Sequence, residues 1–96
     1  MKIDFTKSGE TLKISLDGRL DTQTAPELDK VIAENCTDAR ELIIDCKKLE
    51  YVSSAGLRVF LSAHKRMKGA MKLTSVCELV SEVFEITGFL DILVIE

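Results

Sequence analysis

The sequence predicts a single α/β domain whose sheet is mostly parallel. Two kinds of hydrophobic periodicity alternate along the 96 residues: some segments repeat every second position, and others have the spacing of a helix. Glycines mostly fall where one kind of segment gives way to the next. The resulting order, ββαβαβαβ, implies an N-terminal antiparallel strand pair followed by right-handed crossovers between parallel strands.

The first two strands are predicted to form a hairpin. Residues 12–17 alternate apolar and polar side chains, which is typical of a strand with one buried face, and Gly18 should end it. Residues 2–6 are the expected partner strand. Since the turn-forming residues 8–10 lie between the two segments, we expect the pair to be antiparallel.

A first helix is predicted over residues 25–35. Thr24 and Glu27 match a capping box, in which the threonine caps backbone N–H groups and the glutamate reaches back. Pro26 is tolerated because N–H groups of the first turn have no partner inside the helix. The apolar residues that follow at helical spacing are Leu28, Val31 and Ile32.

The middle of the chain predicts a central strand, a helix and another strand. Residues 42–44 are apolar at consecutive positions, which indicates a strand buried on both faces. Residues 54–67 have the pattern of an amphipathic helix that Gly69 closes. Residues 71–74 alternate again and predict a strand. The apolar side of the helix is formed by Leu57, Phe60, Leu61 and Met67.

A third helix and a last strand complete the predicted fold. Ser75 and Glu78 match a second capping box. Gly88 is placed to end the helix in a left-handed conformation, with Phe89 packing back. Residues 92–95 should form a short strand. The predicted apolar stripe of the helix consists of Leu79, Val80, Val83 and Phe84.

The composition excludes several classes of protein. With 46% hydrophobic and 30% charged residues, the chain is globular rather than disordered. A net charge of -3 lacks the positive footprint of a nucleic-acid binder. The longest apolar run, residues 92–95, is far shorter than the roughly 20 residues of a membrane span. Residues 1–5 hold no apolar signal-peptide core. We therefore expect a cytoplasmic domain that contacts no nucleic acid and inserts into no membrane.

No enzyme signature is present, and no cofactor or metal is expected. The chain has no P-loop, GxGxxG, HExxH or GxSxG pattern. Cys36, Cys46 and Cys77 form no CxxC pair and no disulfide framework, so we expect small buried residues. The single histidine, His64, lies about 15 Å along the second helix from Ser54, which excludes a Ser-His pair. We expect no catalytic residue.

The sequence alone assigns no special function to the charged residues near strand ends and on the second helix. Asp17, Asp21 and Asp45 are expected near strand ends, where the simplest role is in turns and solvation. A small basic cluster in the second helix is typical of a solvated face. His64 is expected at the surface or at the boundary of the core.

Residues 51–57 allow two interpretations. In the structural one, a serine caps the second helix and Gly56 permits close packing. In the functional one, an exposed serine at a helix N-terminus offers its hydroxyl where the helix dipole favours an anion. Small neighbours would then let another protein's active site approach. The pattern of residues alone leaves both open.

The whole chain, residues 1–96, resembles a STAS domain, and in particular a bacterial anti-sigma factor antagonist. Three stretches carry the resemblance, and their order and spacing make it specific. They are Gly18–Asp21 with Thr24–Leu28, Leu42–Asp45 with Leu49–Leu57, and Phe84–Phe89.

The resemblance implies a phosphorylation site. In that family a serine in an Asp-Ser-(Ser/Thr/Ala)-Gly motif is phosphorylated by the partner anti-sigma factor, a serine kinase. Ser54 matches the acceptor, Gly56 the motif glycine, and Asp21 an acidic residue near the acceptor. Ser53 replaces the usual aspartate and offers a second, less favoured acceptor. Five residues are the expected partner-binding positions: Asp21, Ser53, Ser54, Gly56 and Arg58.

The resemblance also implies partner switching rather than catalysis. The unphosphorylated domain would bind the anti-sigma factor kinase and free its sigma factor. Phosphorylation of Ser54 would break that complex, and a serine phosphatase would restore it. The alternative implied by the family is an accessory subunit of a membrane lipid or anion transporter that is not phosphorylated.

Overall fold

Five strands form one sheet, and they lie in the order in which they occur along the chain. A computed structural model describes residues 1–96. The elements are β1 (Lys2–Ser8), β2 (Thr11–Leu20), α1 (Ala25–Asn35), β3 (Glu41–Val52), α2 (Ser54–Arg66), β4 (Met71–Thr74), α3 (Glu78–Thr87) and β5 (Val94–Ile95). A short 3-10 helix, Phe89–Asp91, precedes β5. The predicted ββαβαβαβ order is confirmed. No helix has both the length and the apolarity needed to cross a bilayer.

The pairing of the strands explains why all three helices cover the same face. β1 is antiparallel to β2, whereas β2, β3, β4 and β5 pair in parallel. Each parallel connection steps to the next strand in the same direction. Because such crossovers are almost always right-handed, three consecutive steps without reversal place α1, α2 and α3 on one side of the sheet.

Burial along the strands follows this one-sided arrangement. Core-facing positions alternate with half-buried or exposed ones on β2, β3 and β4. The prediction that residues 42–44 are buried on both faces was therefore wrong: Leu42 and Ile44 are buried, but Ile43 lies on the open face and is only half-buried. A run of apolar residues indicated a covered strand, and the strand order left one side uncovered.

Gly18 does not end β2, contrary to the prediction. It has φ +112°, and the register between β2 and β3 shifts around it, which is the behaviour of an irregular bulge. The strand continues to Leu20, which is fully buried and pairs with Val52 at the end of β3. The continuation places the end of β2 directly beside the start of α2.

Neither predicted capping box forms. α1 begins at Ala25 as expected, but the Thr24 hydroxyl donates to the Arg19 carbonyl (2.8 Å) and accepts from the Asp21 N–H (2.8 Å). α3 begins at Glu78, with Cys77 as the residue before it, so Glu78 stands in the first helical position instead of the third. Ser75 is outside the helix with φ +57°. The sequence pattern located both helices and misassigned their first contacts.

The C-terminal segment differs from the prediction in two respects. Gly88 ends α3 in the left-handed conformation (φ +81°), and Phe89 packs partly against the core, as expected. However, the 3-10 helix shortens the predicted strand 92–95 to Val94–Ile95. Leu79, placed in the apolar stripe, is 56% exposed, while Phe84 contacts Phe60 edge-to-face with ring centroids 6.0 Å apart.

The cysteines are unpaired, and two are buried as predicted. Cys36 and Cys46 lie in the core, whereas Cys77 is half-buried, with its Sγ 3.5 Å from the Leu49 carbonyl. Burial raises the pKa of the Cys46 thiol to about 12, with smaller contributions from Asp45 and Cys77. A thiol with so high a pKa is protonated at neutral pH and unreactive.

Close packing at the start of α2 requires glycine at position 56. Gly56 is buried, and a Cβ atom there would lie 2.8 Å from both Leu20 Cγ and Val52 Cγ2. Such separations are shorter than van der Waals contact, so a side chain would push the helix away from the ends of β2 and β3.

We predict that Gly56→Ala lowers the free energy of unfolding. Overpacking costs about 1–3 kcal/mol, and the better helix propensity of alanine offsets only about 1 kcal/mol. Urea denaturation measures the difference. Ser62→Ala, at an exposed position of α2, is the control and should not destabilise the protein. A Gly56→Ala protein more stable than wild type would contradict the close packing.

Candidate functional site

The predicted site residues meet where β2 and β3 end. The Ser53 N–H donates to the Leu20 carbonyl at 2.8 Å, which joins the end of β2 to the start of α2. Asp21 follows Leu20 directly, and Ser54 follows Ser53. Because neighbouring parallel strands end at the same edge of a sheet, residues 33 positions apart in sequence become neighbours.

The two serines at the start of α2 have different roles. Ser53 caps the helix: its backbone is extended (φ -94°, ψ 176°), and its Oγ accepts from the Gly56 N–H at 3.4 Å. Ser54 is the first helical residue and is exposed. The structural interpretation of this segment therefore applies to Ser53, whose hydroxyl caps the helix. The functional interpretation requires an exposed serine, and Ser54 is exposed.

The electrostatics of α2 favour an anion at Ser54. The first turn of the helix contains no acidic residue, and its last turn contains His64, Lys65 and Arg66. The partial positive charge at the N-terminus is thus not neutralised by a side chain of the helix itself. A phosphate attached there would be near unpaired backbone N–H groups, which are good donors to an anion.

Asp21 organises the loop beside Ser53. Its Oδ1 accepts from the Gln23 N–H (3.0 Å) and the Thr24 N–H (3.1 Å), and the Thr24 hydroxyl lies 3.2 Å away. The Thr24 N–H bond is the largest cause of a lowered pKa for Asp21, partly opposed by desolvation. The carboxylate therefore closes a turn that holds the loop against the end of β2.

A shallow groove runs between α1 and α2 from the site. Its volume is about 380 Å³, and Ala55, next to Ser54, forms part of its wall. Arg58 is exposed, lines the groove and lies one helical turn after Ser54, on the same side of α2. The other lining residues are Thr22, Ala25, Pro26, Asp29, Val59 and Ser62.

The structure brings four of the five predicted partner-binding residues to one surface. Asp21 and Ser53 are half-buried there, and Ser54 and Arg58 are exposed. Gly56 is buried beneath them, where it permits the close packing of α2 on the sheet, and its part in partner binding stays a prediction. His64 is half-buried in the last turn of α2, as expected. No group of three His, Cys, Asp or Glu side chains is arranged to hold a metal ion.

The part that α1 takes in the groove was not predicted from the sequence. Thr22 and Asp29 lie in no motif, and Pro26, although it lies within the Thr24–Leu28 stretch, was interpreted only as part of a helix start. Their part in the groove depends on the packing of α1 against α2. The cation–π contact of Arg19 with Tyr51, 4.3 Å from the ring centroid, was likewise not expected from the sequence. It joins β2 to β3 on the open face of the sheet, just before both strands end.

We predict that Asp21→Ala destabilises the domain more than Asp21→Asn at pH 7. Asparagine keeps an oxygen that can accept from the Gln23 and Thr24 N–H groups, whereas alanine removes it. Thermal unfolding measures both variants, and Asp21→Asn should melt close to wild type. Equal melting temperatures for all three proteins would show that the turn does not depend on this acceptor.

A comparison of wild type with Asp21→Asn at several pH values tests the contribution of the negative charge of Asp21 to stability. Because the pKa of Asp21 is lowered in the folded state from 3.8, its ionised form contributes stability above pH 3.8. That contribution is lost as the pH falls through the folded-state pKa. The small difference in melting temperature between wild type and Asp21→Asn at pH 7 should therefore narrow further in acid. If the difference in melting temperature widens below pH 4, the ionised form of Asp21 does not stabilise the fold.

The chain resembles a known family of domains and individual bacterial proteins. The STAS domain family matches residues 2–96. The chain is 36% identical over 96 residues to BtrV of Bordetella bronchiseptica, a candidate anti-sigma factor antagonist, covering 96% of this chain and 83% of that one. It is 29% identical over 96 residues to the anti-sigma-B factor antagonist of Bacillus subtilis, covering 97% and 88%.

Solved structures share the fold. An anti-sigma factor antagonist from Mycobacterium paratuberculosis superposes with a TM-score of 0.87 at 18% identity, covering 98% of this chain and 83% of that chain. SpoIIAA in its unphosphorylated form gives 0.84 at 17% identity, covering 99% and 88%. The phosphorylated form of SpoIIAA from Bacillus gives 0.75 at 17% identity, covering 99% and 91%. At these identities the likeness establishes the fold alone.

Proposed function

The chain belongs to the STAS domain family, and from this we propose that it is an anti-sigma factor antagonist that switches partners by phosphorylation of Ser54. In its unphosphorylated form it binds an anti-sigma factor serine kinase, and the sigma factor is released. Phosphorylation ends that binding, and a serine phosphatase reverses the modification. The domain is a substrate and a binding module rather than an enzyme. The observation that carries the proposal is the exposed hydroxyl of Ser54 at the first position of α2.

The geometry favours Ser54 over Ser53 as the acceptor. Ser53 Oγ already accepts the Gly56 N–H, and the side chain is half-buried. Ser54 is exposed beside a groove that a kinase can cover. Where Ser53 stands, the family usually has aspartate. Since serine and aspartate are comparable N-caps, this departure preserves the cap of α2 and leaves the acceptor position unchanged.

The proposed partner surface consists of the Asp21 turn, Ser53, Ser54 and Arg58 together with the groove. Asp21 contributes through the turn that it closes, which fixes the edge of the surface next to Ser53. Arg58 supplies a positive charge to pair with an acidic group of the partner. Gly56 contributes from below, because its close packing holds Ser54 at a constant height above the sheet.

Phosphorylation is proposed to act by blocking the interface, not by distorting the fold. A phosphate adds about -1.5 to -2 charges, which takes the net charge from -3 to about -5. At a helix N-terminus an anion is stabilised by about 0.3–1 kcal/mol, so the fold tolerates it. In a protein interface an unpaired buried charge costs several kcal/mol. The interface therefore loses far more than the fold gains.

We predict that the cognate kinase, supplied with ATP, labels wild type and Ser53→Ala but not Ser54→Ala. Ser53→Ala should lose about 1 kcal/mol of stability with its cap, and Ser53→Asp should keep the cap. Mass spectrometry of the labelled protein locates the phosphate. Labelling of Ser54→Ala combined with none of Ser53→Ala would place the acceptor one residue earlier. Co-purification with a membrane ATPase and no phosphoserine in the cell would favour the transporter subunit instead.

We predict that Ser54→Asp binds the kinase at least tenfold more weakly, the equivalent of about 1.4 kcal/mol, and melts within a few degrees of wild type. Amide chemical shifts should change mainly at residues 52–58 and at Asp21. Thr37→Asp adds the same charge at an exposed position outside the site and should bind normally. Widespread shift changes or a collapse of stability would mean that phosphorylation remodels the domain.

A further inference from the structure

Charge is distributed very unevenly along this chain. Residues 73–96 contain five acidic residues and none of the 13 basic residues. They therefore carry a charge of -5, while residues 1–72 carry +2. Most of the acidic residues of this segment lie on α3 or in the 3-10 helix after it. An acidic helix thus packs over the middle strand of the sheet, β3, in a protein whose net charge is -3.

The same segment exposes most of the large apolar side chains on the surface. We call the α3 surface the set formed by Leu79, Ile86, Leu90 and Ile92, all of which are exposed. Ile86 is 84% exposed. Leu79 and Ile86 are seven residues apart, so they lie on one side of α3 two turns apart. The half-buried Val83 lies between them on that side and connects the stripe to the core.

Unpaired carboxylates border these apolar side chains. Of the acidic residues in the segment, only Glu96 forms a salt bridge, with Lys72 at 3.6 Å. The carboxylates without an ion-pair partner are Glu78, Glu82, Glu85 and Asp91. An exposed apolar stripe beside several unpaired charges of one sign has the composition of a protein-binding surface with a defined electrostatic preference.

We propose that the α3 surface binds a basic amphipathic helix of a partner protein. The apolar stripe matches the apolar face of such a helix, which presents side chains at the same spacing of three, four and seven residues. Lysines and arginines flanking that face would pair with the carboxylates. A second copy of the chain fits poorly, because two such surfaces would bring eight unpaired carboxylates together. An anionic membrane is repelled for the same reason.

The proposal concerns a second surface and does not depend on Ser54. The α3 surface shares no residue with the Asp21 turn or with the groove between α1 and α2. A ligand of α3 would therefore bind whether or not Ser54 carries a charge, unless the partner is large enough to cover both.

Titration of the isotopically labelled full chain with a synthetic 18-residue peptide tests the proposal. The peptide carries leucines at helical spacing and lysines elsewhere, and the control peptide carries glutamates in place of the lysines. We expect saturable binding of the lysine peptide with amide shift changes confined to residues 78–92. Leu79→Ser combined with Ile86→Ser should weaken binding at least tenfold. Phe5→Ser, which removes an exposed apolar side chain of β1, should bind like wild type, as should Ser54→Asp.

Three results would overturn the proposal: equal binding of the two peptides, unchanged affinity of the double variant, or no binding of the lysine peptide. Circular dichroism of the double variant checks that it is folded, which is expected because both side chains are exposed. Sedimentation of the chain alone tests the competing occupant. Self-association that the double variant abolishes would assign the surface to a second copy instead.

Discussion

The close approach of α2 to the ends of β2 and β3 is the constraint on which the site depends. Gly56 lies so near Leu20 and Val52 that no side chain fits between them. The Ser53 N–H at the same point donates to the Leu20 carbonyl. Packing and hydrogen bonding together fix the first turn of the helix relative to the sheet. The hydroxyl of Ser54 is therefore held at one place on the surface, as the proposed recognition by a kinase requires.

The strand order determines what kind of site this can be. In sheets whose order reverses, a crevice opens between the two sets of crossovers, and small ligands bind there. Here each parallel strand follows its predecessor in the same direction, so the loops and the start of α2 form an outer edge. The groove beside that edge is shallow and is shared by two helices. Such a surface suits contact with another protein, in agreement with the proposed function.

Local hydrogen bonds decided several details that the sequence pattern could not. Thr24 and Glu27 fit a capping box, but Asp21 lies three residues before Thr24 and takes its N–H, while the threonine hydroxyl turns to Arg19. Asp21 and Glu27 can both accept the Thr24 N–H, and the sequence pattern does not show which of the two carboxylates does so. Burial is limited in the same way by what the sequence pattern can show. Helical spacing placed Leu79 in the apolar stripe of α3, but no other element covers that side of the helix, and Leu79 is exposed.

By itself the sequence determined the elements, their order and the likeness to STAS domains. These depend on periodicity, glycine positions and motif spacing, all of which are local along the chain. Ser54 could be singled out because its motif is contiguous. The tertiary structure decided which face of the sheet is covered, that Ser53 forms the cap, that Gly56 is buried, and that α1 completes the groove. Each of these depends on contacts between residues distant in sequence, such as Leu20 with Gly56, which are set by how the elements pack.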